Sequence, residues 1–363
     1  MKILHTADLH LGKTLNGYSL LDDQKYIIKQ IEDIIIKENV DTVVIAGDIF
    51  DRAISSVEAL DLFGDFVGFI NKNGKKLIAI LGNHDGERIA YLNHILKQNN
   101  IYIIDEVTRI KIDDTIFSCI PYLNIHQFRE FYNEEFNSVD EAYKYAIDDL
   151  GFDNNYFNVM VAHDYFTYHM EKLMESDSEI KYMVGGLEYL DIEIFNNYDY
   201  VALGHMHKAQ QVGRLNVRYS GSILKYSFSE VKGNKSVVII DSKTKSFIEY
   251  PLIPKRDLVD IKGSLSELIN PEFYKNYNYN NDYFRAILTD DAIDAYATLK
   301  SIYPYLMEIK KENEVVNNVI ERKVIKENDY LELFSMFYNE VEKKDISDNE
   351  LLIVKDYLLG GAK

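Results

Sequence analysis

Ile3-Leu4-His5-Thr6-Ala7-Asp8-Leu9-His10 begins as an apolar, β-branched run and ends on a carboxylate and an imidazole two positions apart. The same plan returns in Val43-Val44-Ile45-Ala46-Gly47-Asp48, in Ile78-Ala79-Ile80-Leu81-Gly82-Asn83-His84-Asp85, in Val159-Met160-Val161-Ala162-His163 and in Val201-Ala202-Leu203-Gly204-His205-Met206-His207. Each run predicts a strand, and a metal-competent side chain follows the end of each within a residue or two. In open α/β sheets the ligand crevice lies outside the carboxyl ends of the strands. Five such ends therefore predict one shared site, and five of the nine histidines sit at them.

Working outward, β-rich runs alternate with helical patterns across the first 250 residues, which predicts a layered α/β architecture. Strands are expected at about 2–6, 42–46, 77–81, 101–104, 115–119, 157–162, 199–203, 217–219 and 236–241. Crossover helices are expected from Asp22 to Lys37, where Ile27, Ile28, Ile31, Ile34 and Ile35 keep helical spacing, and from Val57 to Asn71. Pro251 and Pro254 mark a boundary, and the Asn- and Tyr-rich residues 270–282 read as a loop. Tyr283–Leu288, Asp291–Ile302 and Leu306–Lys311 then read as strand, helix and strand of a small α+β domain. Two tail helices follow, 329–344 and 348–359; Ser347 with Glu350 forms a capping box for the second and Gly360-Gly361 stops it. The expected division is a main domain over 1–253, a small cap over 254–325 and C-terminal helices over 326–363.

The 363 residues carry 47% hydrophobic and 27% charged side chains, the balance of a globular protein. No run of about 18 uncharged apolar residues is present, and Asp8 falls where a signal peptide needs apolar sequence, so the expectation is a cytoplasmic chain with no membrane contact. Cys119 stands alone, which excludes an intramolecular disulfide and a thiolate zinc site. The formal charge of −19 opposes free-standing nucleic-acid binding, which wants a basic footprint. One local exception runs from Gly204 to Lys235, with Lys208, Arg214, Arg218, Lys225, Lys232 and Lys235 against Glu230 alone. It reads either as a DNA-facing patch or as a solvated hairpin surface.

Asp8, His10, Asp48, Asn83, His163, His205 and His207 are the candidate metal ligands. Seven oxygen and nitrogen donors exceed what one tetrahedral zinc takes and suit two metals sharing a carboxylate. Carboxylate, amide and imidazole without thiolate favour manganese or iron over calcium or copper(I). In Asp8-Leu9-His10 and His205-Met206-His207 the paired donors point the same way if the chain stays extended. Gly47, Gly82 and Gly204, each directly before a donor, are expected to allow a tight turn and close approach to a phosphate. His5, His94, His126 and His169 read as ordinary core or surface residues.

The motif series Asp8-x-His10, Gly47-Asp48-x-x-Asp51, Gly82-Asn83-His84-Asp85, His163 and Gly204-His205-x-His207 resembles that of the calcineurin-like metallophosphoesterases. Within them, His5 to Gly12, Gly47 to Arg52, Tyr219-Ser220-Gly221-Ser222 leading into Tyr226-Ser227-Phe228-Ser229-Glu230, and Ile302 to Leu306 are most similar to the SbcD-type nuclease subunits. Ser55-Ser56 and Asp164 depart from that pattern; Asp164 adds a carboxylate beside His163.

The resemblance implies an α/β/β/α sandwich with a capping domain, and two Mn²⁺, with Fe²⁺ or Mg²⁺ as substitutes. Asp8, His10, Asp48 and His207 would hold one ion, and Asp48, Asn83, His163 and His205 the other, with Asp48 as the bridge. His84 would serve the leaving oxygen and Asp85 would orient it. Arg52, Arg88, Lys208 and Ser222 are candidate substrate contacts, although Arg52 and Arg88 serve equally well as partners of nearby carboxylates. It further implies exonuclease and endonuclease action on double-stranded DNA ends and hairpins in DNA repair and recombination. The implied partners are a second copy, through helices around 58–71 and 87–98, and an SbcC-type ATPase at the C-terminal helices. The competing readings are a stand-alone phosphatase or cyclic-nucleotide phosphodiesterase and a non-catalytic DNA-end tether. The hundred-odd residues after 255 favour a macromolecular substrate over the first, and the complete donor set with His84 counts against the second.

Overall fold

The computed structural model describes residues 1–86, 96–179, 190–292, 294–312, 338, 346–347 and 351. The chain divides into Met1–Lys311 and Glu312–Lys363. The expected tail helices and Arg88 lie outside the described residues, Tyr338, Ser347 and Leu351 apart.

Two six-stranded sheets form the body of the first unit. One runs β16 (Ser246–Leu252), β15 (Lys235–Asp241), β1 (Lys2–Thr6), β4 (Thr42–Ala46), β5 (Lys76–Ile80), β6 (Ile101–Ile104). The other runs β13 (Gln210–Val212), β14 (Arg214–Tyr219), β12 (Tyr200–Gly204), β9 (Phe157–His163), β8 (Thr115–Ile120), β7 (Thr108–Ile112). Within each, four neighbouring strands are parallel: β1, β4, β5 and β6 in the first, β14, β12, β9 and β8 in the second. Short ladders join β2 (Thr14–Leu15) to β3 (Tyr18–Ser19) and β10 (Phe166–Thr167) to β11 (Leu190–Asp191).

The strands read as unbroken apolar runs because both sheet faces are buried. In β4 and β5, Val43, Ile45, Leu77 and Ala79 face α1 (Leu21–Lys37) and α2 (Val57–Lys72), while Val44, Ala46, Ile78 and Ile80 meet Val159, Val161 and Ala202 of the opposite sheet. α1 presents Ile27, Ile28, Ile31 and Ile35 on one stripe, the spacing expected of it. Ser56 caps α2 by accepting from the Ala59 N–H, which gives the unusual Ser55-Ser56 pair a local purpose. Behind the second sheet lie α3 (Ile125–Tyr132) and α4 (Val139–Leu150), packed through Phe128, Ala142, Tyr143 and Ala146. The layers are α/β/β/α.

Beyond the sandwich, β17 (Leu258–Gly263), β18 (Tyr283–Leu288) and β19 (Leu306–Lys311) make a parallel three-stranded sheet covered by the helix Ala295–Ile302. It is fastened to the sandwich at α1. Arg256 grips the buried Asp23 carboxylate with two bonds of 2.9 and 2.7 Å, the Tyr283 hydroxyl donates to the same carboxylate at 2.8 Å, and the rings of Tyr283 and Tyr305 flank the guanidinium. Among the described residues no helix is long and apolar enough to cross a membrane.

Eight strands went unread in the sequence: β2, β3, β10, β11 and β13, of two or three residues each, and the longer β7, β16 and β17. Pro251, expected at a boundary, lies inside β16, where an edge position tolerates its missing N–H. β7 and β17 are short and half exposed. Residues 270–282 include a helical turn, Pro271–Tyr274, capped by Asn270 with Pro271 in the first position. Three of the six basic residues in the Gly204-to-Lys235 stretch are paired: Arg218 with Glu249 and Lys225 with Asp257 near the surface, and Lys235 with Glu230 in the interior.

Candidate metal centre

The chain leaves β1 at Thr6 and immediately pairs with the turn after β4: Asp8 N–H donates to Gly47 O at 3.0 Å, His10 N–H to Asp48 O at 3.0 Å and Leu11 N–H to Ile49 O at 2.9 Å. Asp8, His10, Asp48 and His205 all hold positive φ, at 52°, 45°, 52° and 101°. The expectation that paired donors align along an extended chain is thereby corrected. Left-handed turns past the strand ends aim them, a conformation that costs non-glycine residues about 1–3 kcal/mol each and collects at functional sites. Gly47, at φ 90°, makes the tight turn expected of it, and the glycines have a packing part as well. A Cβ on Gly47 would sit 2.1 Å from the His163 ring, and one on Gly204 would sit 1.7 Å from Ala46 O, so these positions let the two sheets close on each other.

The first sheet contributes Asp8, His10, Asp48 and Asn83, and the second contributes His163, His205 and His207. The structure brings all seven together. His10 Nε2 and His207 Nε2 face each other at 3.0 Å. Asn83 Oδ1 lies 3.0 Å from His163 Nε2 and 3.1 Å from His205 Nδ1. Asp48 Oδ2 stands between the two groups, 3.5 Å from His10 Nε2 and 3.5 Å from His163 Nε2. The ligand atoms of Asp8, His10 and His207, and those of Asp8, Asp48 and His163, each lie within 4.8 Å of one another.

Electrostatics follow from crowding these groups away from water. Burial, then the neighbouring Asp48 charge, pushes the Asp8 carboxyl well above its usual range despite the pull of His163. Burial pushes Asp48 up too, but the imidazoles of His163, His10 and His84 outweigh it and hold the carboxylate ionised. Burial keeps His205 down at about 3 and His10 and His207 well below their ordinary value, which leaves lone pairs available. The donors fit divalent cations: two carboxylates, four imidazoles and the Asn83 amide oxygen converge away from water.

His84 is half-buried beside this group, its ring 4.7 Å from that of His10, and its Nδ1 donates to Asp51 O at 2.9 Å. Asp85, expected to orient it, instead accepts from the N–H groups of Ile49, Phe50 and Gly82, tying the β4 and β5 turns together. Arg52 is 80% exposed and 3.8 Å from Asp51, and Lys208 is half-buried next to His207. Ser222 is fully buried, donating to Leu224 O at 2.8 Å and accepting from Lys235 at 2.7 Å, so it is not open to a substrate as expected. Asp164 receives the Tyr165 N–H at 2.8 Å and the Tyr143 hydroxyl at 3.4 Å. His5 is a core histidine between the sheets, bonded to Tyr200 and Leu203 O.

Sequence reasoning missed the residues that hold the donors. Gln24, in α1, donates to His10 O at 2.7 Å and to Leu9 O at 3.3 Å and accepts from Gly12 N–H at 2.9 Å; Tyr226 donates to Leu9 O and lies edge-on to His10 and His207. Behind His207 stand Ser178, Glu179, Glu230 and Lys235. A glutamine on a helix and serines in a polar loop give no periodic signal. Only the Tyr226-to-Glu230 motif marked that region.

Residues 1–209 match the calcineurin-like phosphoesterase family. Over 96% of this chain and 95% of its relative, the sequence is 33% identical to the SbcD subunit of the SbcCD nuclease of Staphylococcus epidermidis. Among solved structures, a novel archaeal phosphodiesterase is 19% identical over 69% of this chain and 100% of that one, with a TM-score of 0.32. A Thermus thermophilus protein is 12% identical over 69% of this chain and 99% of that one, with a TM-score of 0.42. The two sequence matches, one over residues 1–209 and the other over nearly the whole chain, carry the assignment: the chain belongs to the calcineurin-like phosphoesterases and, among them, to the SbcD-type nuclease subunits.

Proposed function

We propose that this chain hydrolyses phosphodiester bonds at double-stranded DNA ends and hairpins, with two divalent cations, as the nuclease subunit of an SbcC–SbcD complex in DNA repair. The observation that carries the reading is the placing of Asp48 between two donor groups, at 3.5 Å from both His10 and His163, in a chain 33% identical to the SbcD subunit of an SbcCD nuclease. Asp8, His10, Asp48 and His207 would hold one ion, and Asp48, Asn83, His163 and His205 the other. Manganese is the first choice for such donors, with iron or magnesium able to replace it. When bound, the pair supplies an activated water and neutralises charge on the phosphoryl oxygens. The protein's own part is orientation. His84, steadied through Nδ1 by Asp51 O and with its ring 4.7 Å from that of His10, would protonate the leaving 3′ oxygen through its other nitrogen. Arg52 and Lys208, both reachable from solvent, would meet flanking phosphates.

The small sheet is read as the DNA-facing cap of a division into 1–253, 254–325 and 326–363, the last segment being the SbcC-binding one. A net charge of −19 fits an arrangement in which the ATPase partner supplies much of the DNA surface. An apolar hollow of about 720 Å³ lies along α2, lined by Phe50, Ile54, Leu60, Phe63 and Val67, with Ile54 82% exposed. It suits a second copy of the chain, making a cytoplasmic homodimer.

The test is manganese-dependent cleavage of a labelled linear duplex, run beside His84→Ala and a generic phosphomonoester. Cleavage that disappears in the variant supports the reading. Phosphomonoester turnover with intact DNA, even with SbcC present, replaces it with a small-substrate phosphatase.

A further inference from the structure

Behind His207 the hydrogen bonds run in one direction. Ser178 Oγ lies 2.6 Å from His207 Nδ1 and 2.9 Å from Glu230 Oε1, and Ser176 Oγ lies 2.8 Å from the same oxygen. Glu230 is 1% exposed and paired through its other oxygen with Lys235, which is 6% exposed and also donates to His207 O at 2.7 Å. A carboxylate beside a buried ammonium is ionised and only accepts. Ser178 Oγ also lies 2.7 Å from Ser176 Oγ; with its one hydrogen given to this acidic side, its oxygen is left to accept, and the short contact to His207 is then supplied by an Nδ1–H. The ring then has its lone pair on Nε2, the atom that faces His10 Nε2 at 3.0 Å.

The short strap that carries Ser178 is built onto this spot. Glu179 accepts the His207 backbone N–H at 2.8 Å, and the Asp177 N–H donates to Ser229 Oγ at 2.9 Å on the turn that holds Glu230. The strap thus grips His207 by both its ring and its main chain.

We propose that Ser178, backed by Glu230, is a positioning residue that fixes His207 as its Nδ1–H tautomer and so presents Nε2 to a divalent cation. The proposal rests on the reading of His207 as a ligand. A ligand histidine usually donates its second N–H to a carboxylate, carbonyl or water; here a serine hydroxyl is interposed before the carboxylate.

The tautomer is measurable without any metal. In metal-free protein labelled with ¹⁵N-histidine, long-range ¹H–¹⁵N correlations should show Nδ1–H at His207 in the wild type and in Ser178→Thr, which keeps the hydroxyl, and a mixed or reversed tautomer in Ser178→Ala. Mn²⁺ titration followed by the paramagnetic signal of the free ion should show one site weakened about 10- to 100-fold in Ser178→Ala and restored in Ser178→Thr. An Nε2–H tautomer in the wild type overturns the proposal whether or not the variants fold, and so does an alanine variant unchanged in both measurements. His207→Ala separates the two levels: if it binds Mn²⁺ as the wild type does, the ligand assignment fails, whereas an unchanged Ser178→Ala beside a weakened His207→Ala sinks this proposal alone.

Discussion

Nε2 of His10 and Nε2 of His207 meet at 3.0 Å across the seam between the two sheets, one on the turn after β1 and the other after β12. Two imidazole lone pairs aimed at one point gain when a cation stands there. Metal and fold should therefore be linked: Mn²⁺ at a hundred times its dissociation constant is expected to stabilise the protein by about 2.7 kcal/mol per site, and chelation to reverse it. Thermal melts with and without Mn²⁺ read this directly, and His207→Ala should reduce the shift. Identical melts in chelator and metal would remove the centre proposed here.

Replacing the His84 side chain should separate chemistry from metal binding. Its backbone N–H, not its ring, bonds Asp48 Oδ1 at 2.9 Å, so His84→Ala keeps that contact. DNA cleavage is expected to fall about 10²- to 10⁴-fold while Mn²⁺ titration still counts both ions. Loss of an ion in the variant would reassign His84 from proton donor to ligand.

Gln24→Met is expected to loosen the His10 turn from behind. The variant fills similar space but strands the Gly12 N–H and takes one of two donors from Leu9 O, which keeps the Tyr226 hydroxyl, and from His10 O, which keeps the Lys13 N–H, around a fully buried side chain. Stranding buried polar groups costs about 1–3 kcal/mol. Urea denaturation should show that loss, with weaker binding of one Mn²⁺; a variant as stable and as metal-competent as the wild type would refute the role.

The join to the small sheet has its own test. Arg256→Ala leaves the Asp23 carboxylate, 1% exposed, with the Tyr283 hydroxyl in place of a two-pronged guanidinium. Breaking one side of a buried pair costs about 3–5 kcal/mol. Chemical denaturation is the measurement, and a change inside experimental error would mean that the sheet is held by its aromatic contacts instead.

How much of this could be read from the chain depends on the range of the interaction concerned. The strand ends at Thr6, Ala46, Ile80, His163 and Gly204 were visible because burial on both faces writes a local apolar run. The seven donors were visible because they follow those ends. The aim of the donors was not, since the positive φ at Asp8, His10 and Asp48 is imposed by bonds between turns some 40 residues apart, such as Asp8 N–H to Gly47 O. β16 was hidden by Pro251, which an edge strand admits, and Asp85 was misread because its carboxylate closes on backbone N–H groups that no side-chain pattern announces.

β1 takes one neighbour from β4 and the other from β15, pairing Ile3 with Ile240 and His5 with Val238. A chain growing from its N-terminus has therefore made every one of the seven donors by His207 but still lacks β15, and with it Lys235, whose ammonium holds His207 O. The first sheet cannot be completed until the ribosome has passed that strand. The donor-bearing turn after β1 thus waits for a strand made some 30 residues after the last donor before its own strand has both neighbours.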